Sequence, residues 1–292
     1  MNAPTIATAD PVDARWRRFG RLLHRHPTLA IGTLLLGTIV MMAIFAPWLG
    51  TVDPQALAPA KRLQPPSAEA WFGTDMLGRD LWSRVVYGAR VSLTVGLSVA
   101  VAASCLGLLI GLLSGYFRRV DAIVMRVMDG LMSIPSILLA ISLTALTRGS
   151  VTNVIIAITI AEIPRVSRLV RSVVLSLREQ AFVEGAIASG TPPLRLIIRH
   201  ILPNSLAPLI VQATYICASA IITESILSFI GAGTPATVPS WGNIIAEGRA
   251  LWQVSPYIVF NAALFLSITV LSVNLIGDAL RDLLDPRAAR RV

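Results

Sequence analysis

Few side chains in this chain could do chemistry, and their spacing argues against covalent catalysis. Asp129, Glu162 and Glu224 are ionisable residues within or at the edge of apolar runs, where a charge is costly and a functional role is the first reading to test. They do not form the paired carboxylates of a proton relay. Glu162 stands beside Pro164 and Arg165, which puts it at a span edge. Asp129 falls near a span end, within helical reach of Arg126. A structural role suits both. Glu224 lies deeper and suits a pathway-lining group as well as a partner in a cross-helix hydrogen bond. Cys105 and Cys217 both sit in apolar stretches without metal-ligand spacing and read as packed free thiols. His24 and His26 are wrongly spaced for one helix face, and His200 is isolated, so imidazole handling of a bare metal ion is disfavoured. A P-loop needs a lysine after glycine; Lys61, the only lysine, lies between Ala60 and Arg62.

The elements that must position these groups are membrane spans. Of the 292 residues 54% are hydrophobic and 14% charged, against about 25% charged in soluble domains. Five apolar runs reach or approach the roughly 20 residues that cross a bilayer: Leu29 to Leu49, Val91 to Leu113, Val127 to Leu146, Leu206 to Ile230 and Ile258 to Ile276. A sixth, Val151 to Ile163, is short. Charge decides it: with six spans and an inner N-terminus, inner segments hold 18 basic residues and outer ones 7. Omitting the sixth inverts the bias, against the positive-inside rule. The net charge of +9 is thereby absorbed by inner loops, and nucleic acid is not an expected partner.

The predicted fold is all-α and polytopic, with six transmembrane helices. Residues 1–28 form a basic inner segment leading into an uncleaved signal anchor. Residues 29–90 hold the first helix and an outer loop. Residues 91–277 form a core with a large inner loop at 165–205, and 278–292 form an inner tail. Gly107, Gly111 and Gly115 repeat every fourth residue, a stripe that lets helices approach. Within one subunit is the preferred location of that contact. Pro135 is placed to kink the third span.

The loop at 165–205 is the most informative stretch. It carries six arginines and two helix-like pieces around Gly190-Thr191-Pro192-Pro193. Gly190 suits a left-handed helix end, Thr191 a cap, and Pro192 the first turn of the next helix. Arg195 and Arg199 then share one face. Such a platform suits a soluble partner; an interfacial hairpin with no partner is the bland alternative. In the outer loop, Asp75 with Arg79 and Asp80 with Arg84 stand at i,i+4 if that piece is helical. This reads either as a surface helix anchored by Trp82 or as a rim for an external protein.

Glu184-Gly185-Ala186, then Gly190 and Leu202-Pro203-Asn204, resemble the EAA coupling loop of ABC-importer permeases, with Gly185 where alanine is usual. Phe72 to Leu93 (with Gly73, Asp75, Gly78, Arg79, Asp80 and Arg84), Glu224 to Arg249 and Asn274 to Arg287 resemble the peptide and nickel branch, of the DppC/OppC type. The resemblance implies a permease subunit of an ATP-driven importer for dipeptides or oligopeptides, in a bacterial inner membrane with both termini cytoplasmic. It implies coupling residues at Ala181, Phe182, Glu184, Gly185, Ala186, Gly190, Arg195, Arg199 and Pro203. It also implies alternating access at the interface with a second, homologous permease, together with two ATPases and an extracytoplasmic solute-binding protein. ATP and Mg would lie on the ATPases, with no cofactor or metal on this chain and no catalysis by it. Nickel, glutathione or another peptide-like solute is the alternative cargo. A secondary carrier or an intramembrane enzyme are the rival classes, which would call for internal repeats or converging catalytic groups.

Overall fold

Proline chemistry breaks the third apolar run and organises the architecture. The computed structural model describes residues 27–146 and 149–284. Nine α-helices follow one another among them: α1 (Pro27–Ile44), α2 (Leu81–Tyr116), α3 (Arg118–Met132), α4 (Ser136–Ala145), α5 (Val151–Arg178), α6 (Ala181–Ala188), α7 (Pro193–Phe229), α8 (Trp241–Gly248) and α9 (Tyr257–Leu284). The run Val127 to Leu146 is not the single helix expected of it. α3 and α4 meet at 87°, because Pro135 takes an extended conformation (ψ 130°) and offers no amide to continue the helix.

The described residues contain no strand, only one isolated bridge between Thr74 and Asp80. α1, α2, α7 and α9 are each long and apolar enough to cross a bilayer, and the bent α3–α4 pair makes a fifth candidate. The chain is thus an all-α polytopic membrane protein. The short run Val151 to Ile163 is the first half of α5, whose second half carries Arg165, Arg168, Arg171 and Arg178. Much of the expected inner loop is therefore a direct continuation of a helix. α7 holds a π-helical turn at Ile197–Ile201 just before Pro203, which lacks an amide hydrogen. The N-terminal segment up to residue 26 and the tail from residue 285 lie outside the described residues.

The core has two parts. Val99, Val166, Val170, Leu196, Ile201 and Ile216 pack α2, α5 and α7 together. Leu81, Ile221, Trp241, Ile244 and Ile258 pack α1, α2, α7, α8 and α9. The glycine stripe on α2 makes the first part possible. A Cβ on Gly107, Gly111 or Gly115 would fall 2.4–2.6 Å from the Cβ of Val166, Val170 or Val174, so only hydrogen fits between these helices. Cys105 is exposed, and so is not the packed thiol expected; Cys217 is half-buried.

Candidate functional site: an exposed hairpin and a buried charge cluster

At one end of the bundle α5, α6 and α7 form a hairpin. Gln180 is extended (ψ 138°) and turns the chain from α5 into α6. Val183 anchors α6 in the core, and Leu196 and Ile201 anchor the returning arm. The turn closes as a Schellman motif: the Thr191 amide donates to the Ala186 carbonyl (3.1 Å) and the Gly190 amide to that of Ile187 (2.9 Å), with Gly190 at φ +76°. The left-handed reading of Gly190 holds. Thr191 does not cap α7: Pro192 is the N-cap residue, no side chain caps there, and Pro193 occupies the first turn.

What the hairpin presents is unusual for a polar end. Phe182, Ile187, Leu194 and Ile198 are 47–70% exposed. Glu184, Arg195 and Arg199 are exposed beside them, and Pro192, Leu194, Arg195, Ile198, Arg199 and Pro203 line a shallow groove. Nothing lies within 4 Å of where a Gly185 Cβ would stand. An apolar patch rimmed by charges is the anatomy of a protein-docking surface.

The stem of this hairpin is fixed to its neighbours. Arg178 donates to the Gly115 carbonyl (3.1 Å) and lies over the Tyr116 ring. Arg171 pairs with Asp121 through both of its carboxylate oxygens, and Arg168 with Asp129 at 2.6 Å. Asp129 thus serves α5, not Arg126 as helical spacing suggested. Glu162 is buried against its neighbours, 3.1 Å from the exposed Arg165. These contacts tie the α5 stem to α2 and α3.

The opposite end holds a buried charge cluster. Asp75 and Arg84 are 2% and 1% exposed. The Asp75 carboxylate accepts from Arg79 Nε (2.6 Å) and Arg84 Nη1 (2.5 Å), while Glu247 accepts from Arg79 Nη2 (2.6 Å) and from both Arg84 Nη atoms. Two cations face two anions, which is what makes their burial tolerable. The Asp75–Arg79 pair forms in a turn, not in a helix. Asp80 does not pair with Arg84; it is the N-cap of α2, accepting from the Ser83 amide at 2.8 Å. Gly73 and Gly78 have positive φ, and a Cβ at Gly78 would lie 1.8 Å from the Ala58 carbonyl oxygen. Trp82 donates to the Leu49 carbonyl and packs its ring against Trp71 and Phe72.

Glu224 is fully buried and belongs to this end. Its carboxyl accepts from Ser228 Oγ (2.8 Å) and Thr234 Oγ1 (3.3 Å), in a network that continues to Ser240 and Asn243. It ties α7 to the strap before α8. Of the two roles open to it, lining a pathway or bonding across segments, the geometry supports the second. The sequence marks Trp241, Asn243 and Glu247 only through the stretch Pro239 to Arg249 and not individually, because their partners lie far away in the chain.

Comparison with known proteins agrees with this construction. Residues 105–290 match the family model of the binding-protein-dependent transport system inner membrane component. Residues 14–66 match that of the N-terminal TM domain of oligopeptide transport permease C. A probable peptide ABC transporter permease of Sinorhizobium fredii is 53% identical over 271 residues, 93% of each chain. A dipeptide transport system permease of Alkalihalophilus pseudofirmus is 43% identical over 93% of this chain and 90% of its own. A glutathione transport system permease of Escherichia coli is 37% identical over 98% and 95%. Among solved structures, the MetNI methionine ABC transporter in an inward-facing form matches with TM-score 0.58 at 18% identity, covering 70% of this chain and 98% of that one, which speaks to the fold alone. A membrane bundle with an exposed apolar hairpin at one end, matched along nearly its whole length, belongs to the family of binding-protein-dependent transport system inner membrane components.

Proposed function

We propose that this chain is the permease subunit of an ATP-driven importer of short peptides, and that the α6–α7 hairpin is where ATPase motion enters it. The observation that carries the reading is the hairpin surface: exposed Phe182, Ile187, Leu194 and Ile198 on an α5 stem braced to α2 and α3. The substrate class rests on relatives named for peptide and dipeptide transport at 43–53% identity.

In this reading the hairpin end is cytoplasmic, as are both termini, and the chain crosses the membrane six times, α5 and the bent α3–α4 pair included. A second, homologous permease supplies the other wall of the route. Two ATPases carry ATP and Mg and dock on the hairpins, and a solute-binding protein delivers the peptide to the Asp75–Glu247 end. ATP binding shifts the permease pair between states open to opposite faces, through its differential affinity for those states. This chain carries out no covalent step.

The test is co-purification of the ATPases with the wild-type permease and with Phe182→Asp and Leu194→Asp. Both positions are exposed, so folding should be spared. The reading expects the wild type to retain the ATPases and the variants to lose them. ATPases retained by both variants would remove the hairpin from the coupling role.

A further inference from the structure

The glycine stripe that joins α2 to α5 also fixes how deep the charges of α5 lie. Gly107, Gly111 and Gly115 meet Val166, Val170 and Val174 in that order, so the two helices run parallel and in step. On α2 no charged residue falls between Arg90 and Arg118, and the apolar run Val91 to Leu113 has its middle at Ala102. Counting back from Val166 puts Glu162 level with Ala103 and Arg165 level with Leu106. Arg165 therefore stands about 10 Å short of the end of that run at Leu113. Glu162 lies close to its middle and not at a span edge.

At this depth the Arg165 side chain is 52% exposed, against 4% for Glu162. Glu162, hydrogen-bonded to Ser219 of α7, is the acidic partner of Arg165 among the described residues, at 3.1 Å. A guanidinium carries five N–H donors, which one carboxylate cannot satisfy, and lipid offers no acceptor for the others. Nor does the side chain snorkel to the nearer membrane surface, because Glu162, one turn earlier, holds it toward the middle. The exposed face continues to the hairpin end through Arg168, which is paired with the exposed Asp129, and through Ser172. A dry contact with another chain is depleted of charge at its centre. Ionisable groups in a row down one helix face suit water instead.

Resting on the peptide-importer reading, we infer that this face of α5 lines a water-filled inner half of the translocation route, where Arg165 meets the carboxylate of the passing peptide. Glu162 is a positioning residue. It holds Arg165 near the middle of the membrane and, by offsetting its charge, keeps the contact weak enough for release.

The test uses the complete complex, with ATPases and binding protein, in proteoliposomes. Cys105 is a control at the same depth, exposed on α2 in a groove with Leu97, Val101, Leu209 and Ile210. A charged, water-soluble thiosulfonate is added to both sides, and its attachment to this chain is timed by mass. Three chains are compared: Cys217→Ser, which retains Cys105, and the double variant Cys105→Ser, Cys217→Ser carrying either Arg165→Cys or Ala161→Cys. Ala161→Cys lies one turn before Arg165 and removes no charge, so it decides the matter if the arginine variant fails to assemble. Labelling at positions 161 and 165 is expected to be at least about tenfold faster than at Cys105. Labelling as slow as at Cys105 would mean that lipid or protein seals the face, and Cys105 labelled as fast would remove the argument from depth; either overturns the proposal. ATP-driven uptake of a labelled dipeptide and of its C-terminally amidated form is then measured. Arg165→Gln should lower uptake of the free acid about tenfold and spare the amide, with Arg165→Lys restoring most of the loss. Equal loss for both forms, or loss for neither, overturns the role given to Arg165 and leaves the importer reading intact. A wild type that takes up neither form overturns the importer reading and the carboxylate contact with it, while the labelling rates still decide whether water reaches the face.

Discussion

Neutralising Glu247 tests whether the buried cluster at the loop end is a balanced unit. Glu247→Gln keeps the side-chain volume but leaves Arg79 and Arg84 facing Asp75 alone. Arg84 is 1% exposed and cannot be hydrated in place. Breaking a fully buried pair costs about 3–5 kcal/mol. Glu247 is 29% exposed, so water recovers part of that loss and about 2–3 kcal/mol is expected. For a chain of this size the apparent melting midpoint should fall by about 5–10 °C, read by size-exclusion chromatography after heating in detergent. Arg79→Gln added to Glu247→Gln restores one anion to one cation, since Asp75 still accepts from Arg84 at 2.5 Å. The double variant should therefore regain at least about 1 kcal/mol relative to the sum of its parts. A midpoint for Glu247→Gln within about 1 °C of wild type, or a double variant with no coupling, would refute the reasoning.

Three further outcomes follow from local geometry. Gly190→Ala forces a Cβ into left-handed backbone at φ +76° and should cost the hairpin about 1–2 kcal/mol, whereas Gly185→Ala meets no neighbour and should add up to about 1 kcal/mol of helix propensity; proteolysis at the hairpin would rank the two. Gly107→Ala puts a Cβ 2.4 Å from that of Val166 and should destabilise by about 1–3 kcal/mol, and Val166→Ala, which keeps the clashing Cβ, should not restore the loss in the same thermal assay. Glu224→Gln preserves an acceptor for Ser228 and Thr234 and should be nearly silent, while Glu224→Leu removes that acceptor and leaves the two hydroxyls only each other and Ser240, and should cost about 1 kcal/mol, seen as a lower yield of folded protein.

The features legible in the sequence are those whose cause is local. Apolar run lengths locate the crossing helices, Gly190 announces its own backbone conformation, and the four-residue glycine spacing announces a close helix contact. What stays hidden depends on which distant segments meet. Arg84 reads as an i,i+4 partner of Asp80, but capping α2 engages Asp80, and Glu247 becomes available only once α8 folds back onto α2. Asp129 has Arg126 nearby on its own helix, yet the break at Pro135 turns α3 so that Arg168 is its partner. Pro135 signals a kink, but whether a membrane proline bends or breaks a helix depends on neighbours that satisfy the freed carbonyls.

The most direct test of the central claim is ATP-dependent uptake of a labelled dipeptide in vesicles containing the co-purified complex, comparing wild type with Glu184→Arg and Gly190→Pro. The account predicts uptake by wild type only when ATP is present, with both variants losing bound ATPase and uptake together. Uptake that follows an ion gradient, in preparations free of ATPase, would contradict it and identify a secondary carrier.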